Sequence, residues 1–292
     1  MIVVDASGDS KATLRIWDIS KQKQIVCMKL NNSPETNIVG IDWDENGNIV
    51  TASLDTIYLI KYDNAKLTQT KIFKQTCGVF QTRYSPHEKN VFAAALLDST
   101  IKIFNENNEK PLKVLSGHTK KVFGIAFNKK TNILASTSDD CKIGVWDLDK
   151  NTNHFLLGHT HNTRQVVWVP DSPSLLISGS WDGTIRIWNV DACICMCQIN
   201  EHHSDVYGLD ISPHYPFLLL SCSRDNSIRF WNLIQPKSVD CFLNFTQIKN
   251  YFEFNLLESQ LQSADYSSDD ISKAEIVSSY FYVINILYII VS

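Results

Sequence analysis

A chain of 292 residues with 44% hydrophobic and 20% charged residues has the composition of an ordinary globular protein. The formal net charge is −4 and no run of Lys or Arg is longer than two, which predicts no nucleic-acid partner because such partners require a dense basic surface. Eight cysteines occur in a chain long enough to build a large core, after a start that has no basic leader, and this predicts reduced thiols in a cytoplasmic protein.

The chain begins partway through a repeating β pattern. Residues 2–6, 13–18 and 24–30 are rich in β-branched and other apolar residues and predict three short strands. Residues 37–63 predict three more strands, and residues 77–105 form a third unit with a turn at Asp98. These early units lack a Gly-His opening, so they are weaker copies of the three later units.

The next three units have sharper boundaries. They run over residues 117–147, 158–189 and 201–232, and each has a histidine in second position and a tryptophan next to the end. In the middle unit, a Trp181-Asp182-Gly183 turn leads into an alternating strand. One such meander has two apolar faces and cannot bury both alone, so stacking of the copies is expected.

The aromatic residues that close the units have a regular spacing. Tyr62, Phe104, Trp146, Trp188 and Trp231 are separated by 42, 42, 42 and 43 residues, and the earlier Trp17 precedes Tyr62 by 45. A period of about 40–45 residues with four strands per unit is typical of a β-propeller. The sequence therefore predicts an all-β fold.

The repeat count predicts about five complete four-stranded blades after a partial first blade. The expected propeller covers residues 1–243, with a partial blade at 1–30 and blades at about 37–74, 78–115, 121–157, 164–199 and 206–243. Such a series does not close a ring by itself. Either the chain is a piece of a longer protein, which the lack of repeat-type turns in residues 244–292 favours, or the apolar segment 280–291 supplies the missing strand.

The Gly-His pairs, the Asp turns and the closing Trp-Asp or Trp-Asn pairs, at these offsets, resemble the WD-repeat family over residues 1–243. The resemblance is specific in the last three units and weaker before them. It implies a WD-repeat β-propeller that binds partners on the surface of its rim.

Three polar residues recur at one spacing in the clear units. In one of them His159 lies 23 residues before Asp182, which lies 6 before Trp188. The aspartate can accept hydrogen bonds from turn N–H groups and from the imidazole, and a buried indole N–H needs a partner. The resemblance adds a serine on the second strand that links them. The predicted structural network consists of His118, Ser136, Asp140, Trp146, His159, Ser178, Asp182, Trp188, His202, Ser221, Asp225 and Trp231.

Ser, His and Asp are also the residues of a hydrolase triad. The set occurs three times at nearly equal spacing, whereas one active site needs it once, and no G-x-S-x-G elbow is present. No P-loop, dinucleotide glycine pattern or catalytic carboxylate pair occurs either. We therefore predict neither a cofactor nor enzymatic activity.

The resemblance also implies which side chains stand exposed on the rim. These are the residue before each turn aspartate and two positions at the start of each first strand. The predicted partner-binding rim consists of Phe80, Lys121, Phe123, Asp139, Asn162, Arg164, Trp181, Asp205, Tyr207 and Arg224, with the corresponding early-blade positions Asn37, Val39, Leu54 and Leu97. Trp, Tyr and Arg are the residue types that dominate binding energy at interfaces.

Alternating cysteines raise the question of a metal site. Cys193, Cys195 and Cys197 would share one face of a strand, but no C-x-x-C pair lies nearby, so they are predicted to be small core residues facing the next blade. The apolar segment 280–291 is shorter than the roughly 20 residues of a spanning helix and predicts a buried strand rather than a membrane anchor. The polar stretch 259–273 predicts a solvated linker in a partly disordered tail.

These patterns favour a non-catalytic scaffold for protein or peptide partners, without nucleic acid or membrane binding. The alternative is a substrate receptor of a ubiquitin ligase. The adaptor-docking pattern of such receptors is Trp-Asp-x-Arg. Neither Trp17-Asp18 nor Trp146-Asp147 is followed by an arginine at the fourth position of this pattern.

Overall fold

The computed structural model describes residues 2–7, 13–18, 21, 23–30, 38–212, 218–233 and 237–242, and for 2–7 and 237–242 only the backbone. Within these residues the protein is all-β and contains no helix, so none could cross a membrane. The predicted fold class, five four-stranded blades after a partial blade, is confirmed. The tail 244–292, with its predicted linker and terminal strand, lies outside the described residues.

Six antiparallel sheets follow one another along the chain, and we number them as blades 1 to 6. Blade 1 contains β1 (Ile2–Ser7), β2 (Thr13–Asp18) and β3 (Lys23–Lys29). Blade 2 contains β4 (Ile38–Trp43), β5 (Asn48–Ser53), β6 (Thr56–Asp63) and β7 (Lys66–Lys74), and blade 3 contains β8 (Val79–Tyr84), β9 (Val91–Leu96), β10 (Thr100–Asn105) and β11 (Lys113–Ser116). Blade 4 contains β12 (Val122–Phe127), β13 (Ile133–Ser138), β14 (Ile143–Asp147) and β15 (Thr152–Leu156), and blade 5 contains β16 (Thr163–Trp168), β17 (Leu175–Ser180), β18 (Ile185–Asn189) and β19 (Ile194–Ile199). Blade 6 contains β20 (Val206–Ile211), β21 (Leu218–Ser223), β22 (Ile228–Asn232) and β23 (Lys237–Phe242).

Each blade is a meander in which consecutive strands pair. In blade 1, β2 ends on Trp17-Asp18, as the third strand β14 of blade 4 ends on Trp146-Asp147. The three strands of blade 1 thus correspond to strands two to four of a complete blade. The described blades form an open series rather than a closed ring.

The core lies between the blades. One apolar cluster joins Val145 and Leu156 of blade 4 to Val166, Leu176 and Trp188 of blade 5. Trp188 is 1% exposed and its counterpart in blade 6 is fully buried. Because each large side chain contributes about 1.5–3 kcal/mol when it leaves water, stacking of the faces stabilises the blades.

A β-bulge occurs at the same place in the first strand of every complete blade. In blade 3, Val79 is opposite Leu96 but Gln81 is opposite Ala95, so Phe80 is the extra residue. The bulges of the other blades fall on the corresponding residues, which are Val39, Phe123, Arg164 and Tyr207. A bulge redirects its side chain away from the regular alternation of the strand.

The outer strand of blade 5 corrects one prediction. Cys193 and Cys195 are exposed, so the expectation that they face the next blade as core residues is wrong, whereas Cys197 is half-buried and packs against the cluster between blades 5 and 6 as predicted. Strand β19 pairs on one side only, and its register shifts so that Met196 is the extra residue between Cys195 and Cys197. A sequence pattern does not predict such a shift, which breaks the alternation on which the prediction depended.

Candidate protein-binding surface

The polar residues of blade 5 form one hydrogen-bonded chain behind the rim. The indole Nε1 of Trp188 donates to Ser178 Oγ at 2.8 Å, and Ser178 Oγ lies 2.8 Å from His159 Nε2. His159 Nδ1 lies 2.8 Å from Asp182 Oδ2, which also accepts the N–H of Thr160 at 3.0 Å. Every donor has an acceptor when the histidine is neutral with its proton on Nδ1 and the serine donates to Nε2.

Blades 4 and 6 repeat this geometry. His118 Nδ1 lies 2.9 Å from Asp140, and His202 Nδ1 lies 2.9 Å from Asp225. In both blades the serine, Ser136 or Ser221, accepts from the closing tryptophan at 2.8 Å. The twelve residues predicted for the network therefore lie together in three groups of four.

The electrostatics of the network keep the aspartates charged. Burial raises the pKa of Asp140, but the hydrogen bond and charge of His118 outweigh it and lower the pKa to about 2. For Asp225, burial is likewise outweighed by hydrogen bonds from Ser227 and His202, and the pKa falls to about 2. Burial lowers the pKa of His159 and of His202 below the usual histidine range, against the raising effect of their aspartates. At neutral pH, His159 and His202 are therefore neutral beside their charged aspartates, which agrees with the hydrogen-bonded chain.

The hydrogen-bond distances between Ser178, His159 and Asp182 match those of a hydrolase triad, but the serine is not accessible to a substrate. Ser178 is fully buried and its oxygen already accepts the indole N–H of Trp188. A substrate carbonyl cannot reach this oxygen without unfolding the blade. The arrangement holds the Asp turn against the sheet.

The bulged side chains of blades 3 to 6 meet at the start of the first strands. The guanidinium carbon of Arg164 lies 4.8 Å from the ring centre of Phe80, 4.0 Å from that of Phe123 and 5.7 Å from that of Tyr207. The ring of Trp181, in the Asp turn of blade 5, lies 4.8 Å from the same carbon. We call these five residues the Arg164 cluster.

The rings of the cluster also contact one another. Phe80 and Phe123 pack edge to face at 4.7 Å, and Trp181 and Tyr207 lie 5.6 Å apart. His161 lies 5.8 Å from Trp181 and extends the group. The sequence does not predict His161 as a rim residue, because its position three residues before Arg164 is the only signal for it.

Close packing of blades 4 and 5 holds Arg164 in place. Thr137 Oγ1 donates to the Arg164 carbonyl at 3.1 Å and accepts the N–H of Gly124 at 2.8 Å. A Cβ atom on Gly124 would lie 2.7 Å from that carbonyl oxygen. Only glycine therefore allows β12 and β16 to approach as they do.

Burial lowers the pKa of Arg164 to about 10, and the nearby Tyr207, Asp139 and Asp205 act in the opposite direction. The group stays charged at neutral pH. Its charge is held among aromatic faces, an arrangement that favours a cation.

Two buried polar atoms, one within the cluster and one near it, have no hydrogen-bond partner among the described residues. They are the indole Nε1 of Trp181, a donor, and Oδ1 of Asp139, an acceptor. Leaving such a buried polar atom unpaired costs about 1–3 kcal/mol. An external group that pairs with them would recover that free energy.

The remaining predicted rim residues have different environments. Lys121 and Arg224 are exposed, Asn162 is half-buried, and Asp205 lies 3.6 Å from Arg224 in an ion pair. Leu54 is 54% exposed, whereas Val39 packs against an apolar cluster and Leu97 is half-buried. Asn37 lies outside the described residues. The prediction that Phe123 is exposed is wrong, because Phe80 and Arg164 cover it and leave it 8% exposed.

Comparison with known proteins agrees with this geometry. The family model of the WD domain, G-beta repeat, matches residues 109–147, 150–189 and 193–232. The nuclear distribution protein nudF of Aspergillus niger is 34% identical over 48% of this chain and 31% of its own length. The guanine nucleotide-binding protein subunit beta-2 of Nicotiana tabacum is 27% identical over 65% of this chain and 54% of its own length.

A third relative, the anaphase-promoting complex subunit cdc20 of Dictyostelium discoideum, is 26% identical over 54% of this chain and 33% of its own length. This chain spans between about a third and about half of the length of these three relatives. The chain contains WD40 repeats. Its four-stranded blades and its relatives agree with a relationship to the WD-repeat family. Proteins of this family generally act as scaffolds for protein interactions.

Proposed function

We propose that this chain is a non-catalytic scaffold that binds protein or peptide partners on the rim carrying the Arg164 cluster. The observation behind the proposal is that four aromatic rings from four consecutive blades converge on one cation at the start of the first strands. Side chains held on a rigid scaffold lose little entropy on binding, and Trp, Tyr and Arg contribute most at interfaces.

Affinity purification from cells tests the proposal. A tagged chain with Trp181→Ala and Tyr207→Ala is expected to lose the partners that the unchanged chain retains, because the two half-buried rings supply contact area. The control carries Ile194→Ala and Met196→Ala on β19, where the side chains are 53% and 57% exposed. Retention of all partners by the rim variant, with an unchanged circular dichroism spectrum, would overturn the proposal.

Absence of catalysis is part of the proposal and is supported by the complete burial of Ser136, Ser178 and Ser221. A p-nitrophenyl ester series is the suitable assay for the Ser-His-Asp groups. We expect no turnover above buffer. Turnover that Ser178→Ala abolishes in a chain that remains folded would contradict it.

The ubiquitin ligase receptor is the second candidate, and its adaptor-docking pattern is missing after Trp17 and Trp146. Recovery of a ligase adaptor in the same purification would favour it over a general scaffold. Its absence from a purification that yields other partners would count against it.

A cytoplasmic location is proposed from the thiols. Every described cysteine side chain is unpaired, and such thiols persist in reducing compartments. Imaging of the tagged chain provides the test, and accumulation in a secretory compartment would contradict the proposal.

A narrower relationship is proposed from three segments, GHTKKVFGIAF, LLISGSWDGTIRIW and SCSRDNSIRFW, which resemble the N-terminal propeller region of WD repeat-containing protein 17. It predicts that the full coding sequence continues with further propeller repeats. Sequencing of the full transcript tests this, and a transcript that encodes only these 292 residues would overturn it.

A further inference from the structure

Four aromatic rings surround the guanidinium of Arg164. Rings from blades 3, 4, 5 and 6 lie within 6 Å of its guanidinium carbon. Its five N–H donors lie in the plane of the guanidinium and point away from its central carbon. No described residue accepts a hydrogen bond or forms an ion pair with them.

The nearby carboxylates do not neutralise this cation. Asp139 and Asp205 act on the charge of Arg164, yet neither forms an ion pair with it within the described chain. Asp205 pairs instead with Arg224, and Oδ1 of Asp139 has no partner among the described residues. The structure thus orients a cation and leaves its hydrogen-bonding positions unused.

A second donor lies beside the first. The indole Nε1 of Trp181 is buried without a described acceptor, and its ring lies 4.8 Å from the Arg164 guanidinium. Both groups donate, and both belong to one packed cluster. The missing group must therefore be an acceptor, and the charge of Arg164 favours an anion.

We propose that the Arg164 cluster is a binding site for one carboxylate of a peptide ligand, supplied by an Asp or Glu side chain or by a C-terminus. The proposal rests on the proposed function and names the chemistry of the partner. A guanidinium matches a carboxylate with two parallel N–H···O bonds, and the rings already fix its orientation. The unpaired Asp139 Oδ1 can accept a backbone N–H of the same peptide.

Charge also distinguishes a carboxylate from a phosphate. The cluster holds one cation, and Asp139 and Asp205 lie close enough to act on it. A carboxylate carries a single negative charge, whereas a phosphate carries nearly two at neutral pH and would be repelled more strongly. A phosphopeptide is thus the competing ligand in the test.

The probe is an octapeptide library tested against the whole chain by fluorescence anisotropy. One half of the library is amidated and the other half has a free C-terminus, so that the two sources of the carboxylate are separated. We expect enrichment of Asp or Glu at one position, or of free C-termini. Replacing that residue by Gln or Asn, or amidating that terminus, should weaken binding at least about tenfold.

Variants of the protein give an independent measurement. Arg164→Met keeps the length of the side chain among the rings and should cause the same loss, while Arg164→Lys should restore binding only in part because it lacks the planar fork. Arg224→Met tests the neighbouring rim cation, whose side chain is 64% exposed. Lys150→Met is the control, because the Lys150 side chain is 78% exposed in the turn between β14 and β15, outside the predicted rim. Circular dichroism checks that each variant is folded. Replacing the acidic residue of the peptide, or amidating its terminus, tests the same contact without any change in the protein.

The outcomes separate the two proposals. Binding without preference for acidic residues, or tighter binding when phosphoserine replaces Glu, overturns the carboxylate site but leaves the rim scaffold standing. A library without binders also overturns the carboxylate site, and partner loss by the Trp181 and Tyr207 variant still decides the scaffold. Loss of binding by Arg224→Met but not by Arg164→Met would place the contact elsewhere on the rim and overturn the site.

Discussion

The guanidinium carbon of Arg164 lies 4.0 Å from the ring centre of Phe123, across the boundary between blades 5 and 4. Both residues occupy the bulge of a first strand, and the bulges bring them together. This contact joins the packing of the blades to the surface proposed to bind partners. A change in one residue should therefore affect both stability and binding.

Substitution Phe123→Ala should lower the free energy of unfolding by about 3 kcal/mol, because it removes a buried ring and leaves a cavity. Urea unfolding followed by circular dichroism measures the change. Leu112→Ala is the control, since Leu112 is 50% exposed and its loss should matter by less than about 0.5 kcal/mol. Equal effects of the two substitutions would show that Phe123 does not pack as described.

Substitution Ser178→Ala should lower the free energy of unfolding by about 2 kcal/mol, because the indole N–H of Trp188 and Nε2 of His159 both lose their partner. Ser116→Ala, at an exposed position of β11, should have almost no effect. Thermal unfolding of both variants provides the comparison. An unchanged Ser178→Ala variant would mean that the network does not stabilise the blade.

Stability should fall with acid in the range set by Asp140 and Asp225. Their pKa is about 2 when folded, below the usual aspartate value of about 4, so their contribution is complete above pH 4 and is lost as the pH falls toward 2. The pKa of His159 and of His202 is lower in the folded protein than in the unfolded chain. Below about pH 6.5 the unfolded chain therefore binds protons more readily, and the free energy of unfolding starts to fall before the aspartates are protonated. Denaturant midpoints between pH 2 and 8 measure both steps.

Substitution Asp225→Asn is the matched variant for that pH series. It should make the step between pH 4 and 2 smaller by the contribution of Asp225, while the contribution of Asp140 and the earlier step at His159 remain. A wild-type profile without any decline below pH 4 would contradict the assigned charges.

Substitution Asp210→Asn should stabilise the protein at pH 7. Burial raises the pKa of Asp210 to about 6, against the lowering effects of the Ile211 N–H and of Arg83, so the charged form destabilises the fold at higher pH. A raised carboxylate pKa means that this penalty is absent below about pH 4 and grows as the pH rises through 6. Unfolding midpoints at pH 4 and pH 7 should therefore differ less in the variant than in the unchanged chain.

An opposite result has a defined meaning. If Asp210→Asn lowers stability at pH 7, attraction to Arg83 outweighs the burial of the carboxylate. Substitution Asp149→Asn, at an exposed turn position after β14, is the control for removing one negative charge.

The spacing of Tyr62, Phe104, Trp146 and Trp188 by itself determined the repeat, and with it the number of blades and the all-β class. A period is local information, because each copy repeats the same strands and turns and must bury the same faces. The His, Asp and Trp of the network also follow from spacing, and the resemblance to the WD-repeat family adds the Ser; all four residues of each group belong to one blade. The fold class and the polar network within each blade could therefore be predicted from the sequence.

Only the tertiary structure decided how neighbouring blades combine. Phe123 was expected on an exposed rim, but its burial depends on Phe80 and Arg164 from other blades. Cys195 was expected in the core, but a register shift in an outer strand exposes it. Bulges and contacts between blades depend on residues about 40 positions apart, whose meeting no local pattern specifies. For that physical reason the sequence predicted the residues of the Arg164 cluster only as separate rim positions. Their contacts around one guanidinium depend on the packing of the blades.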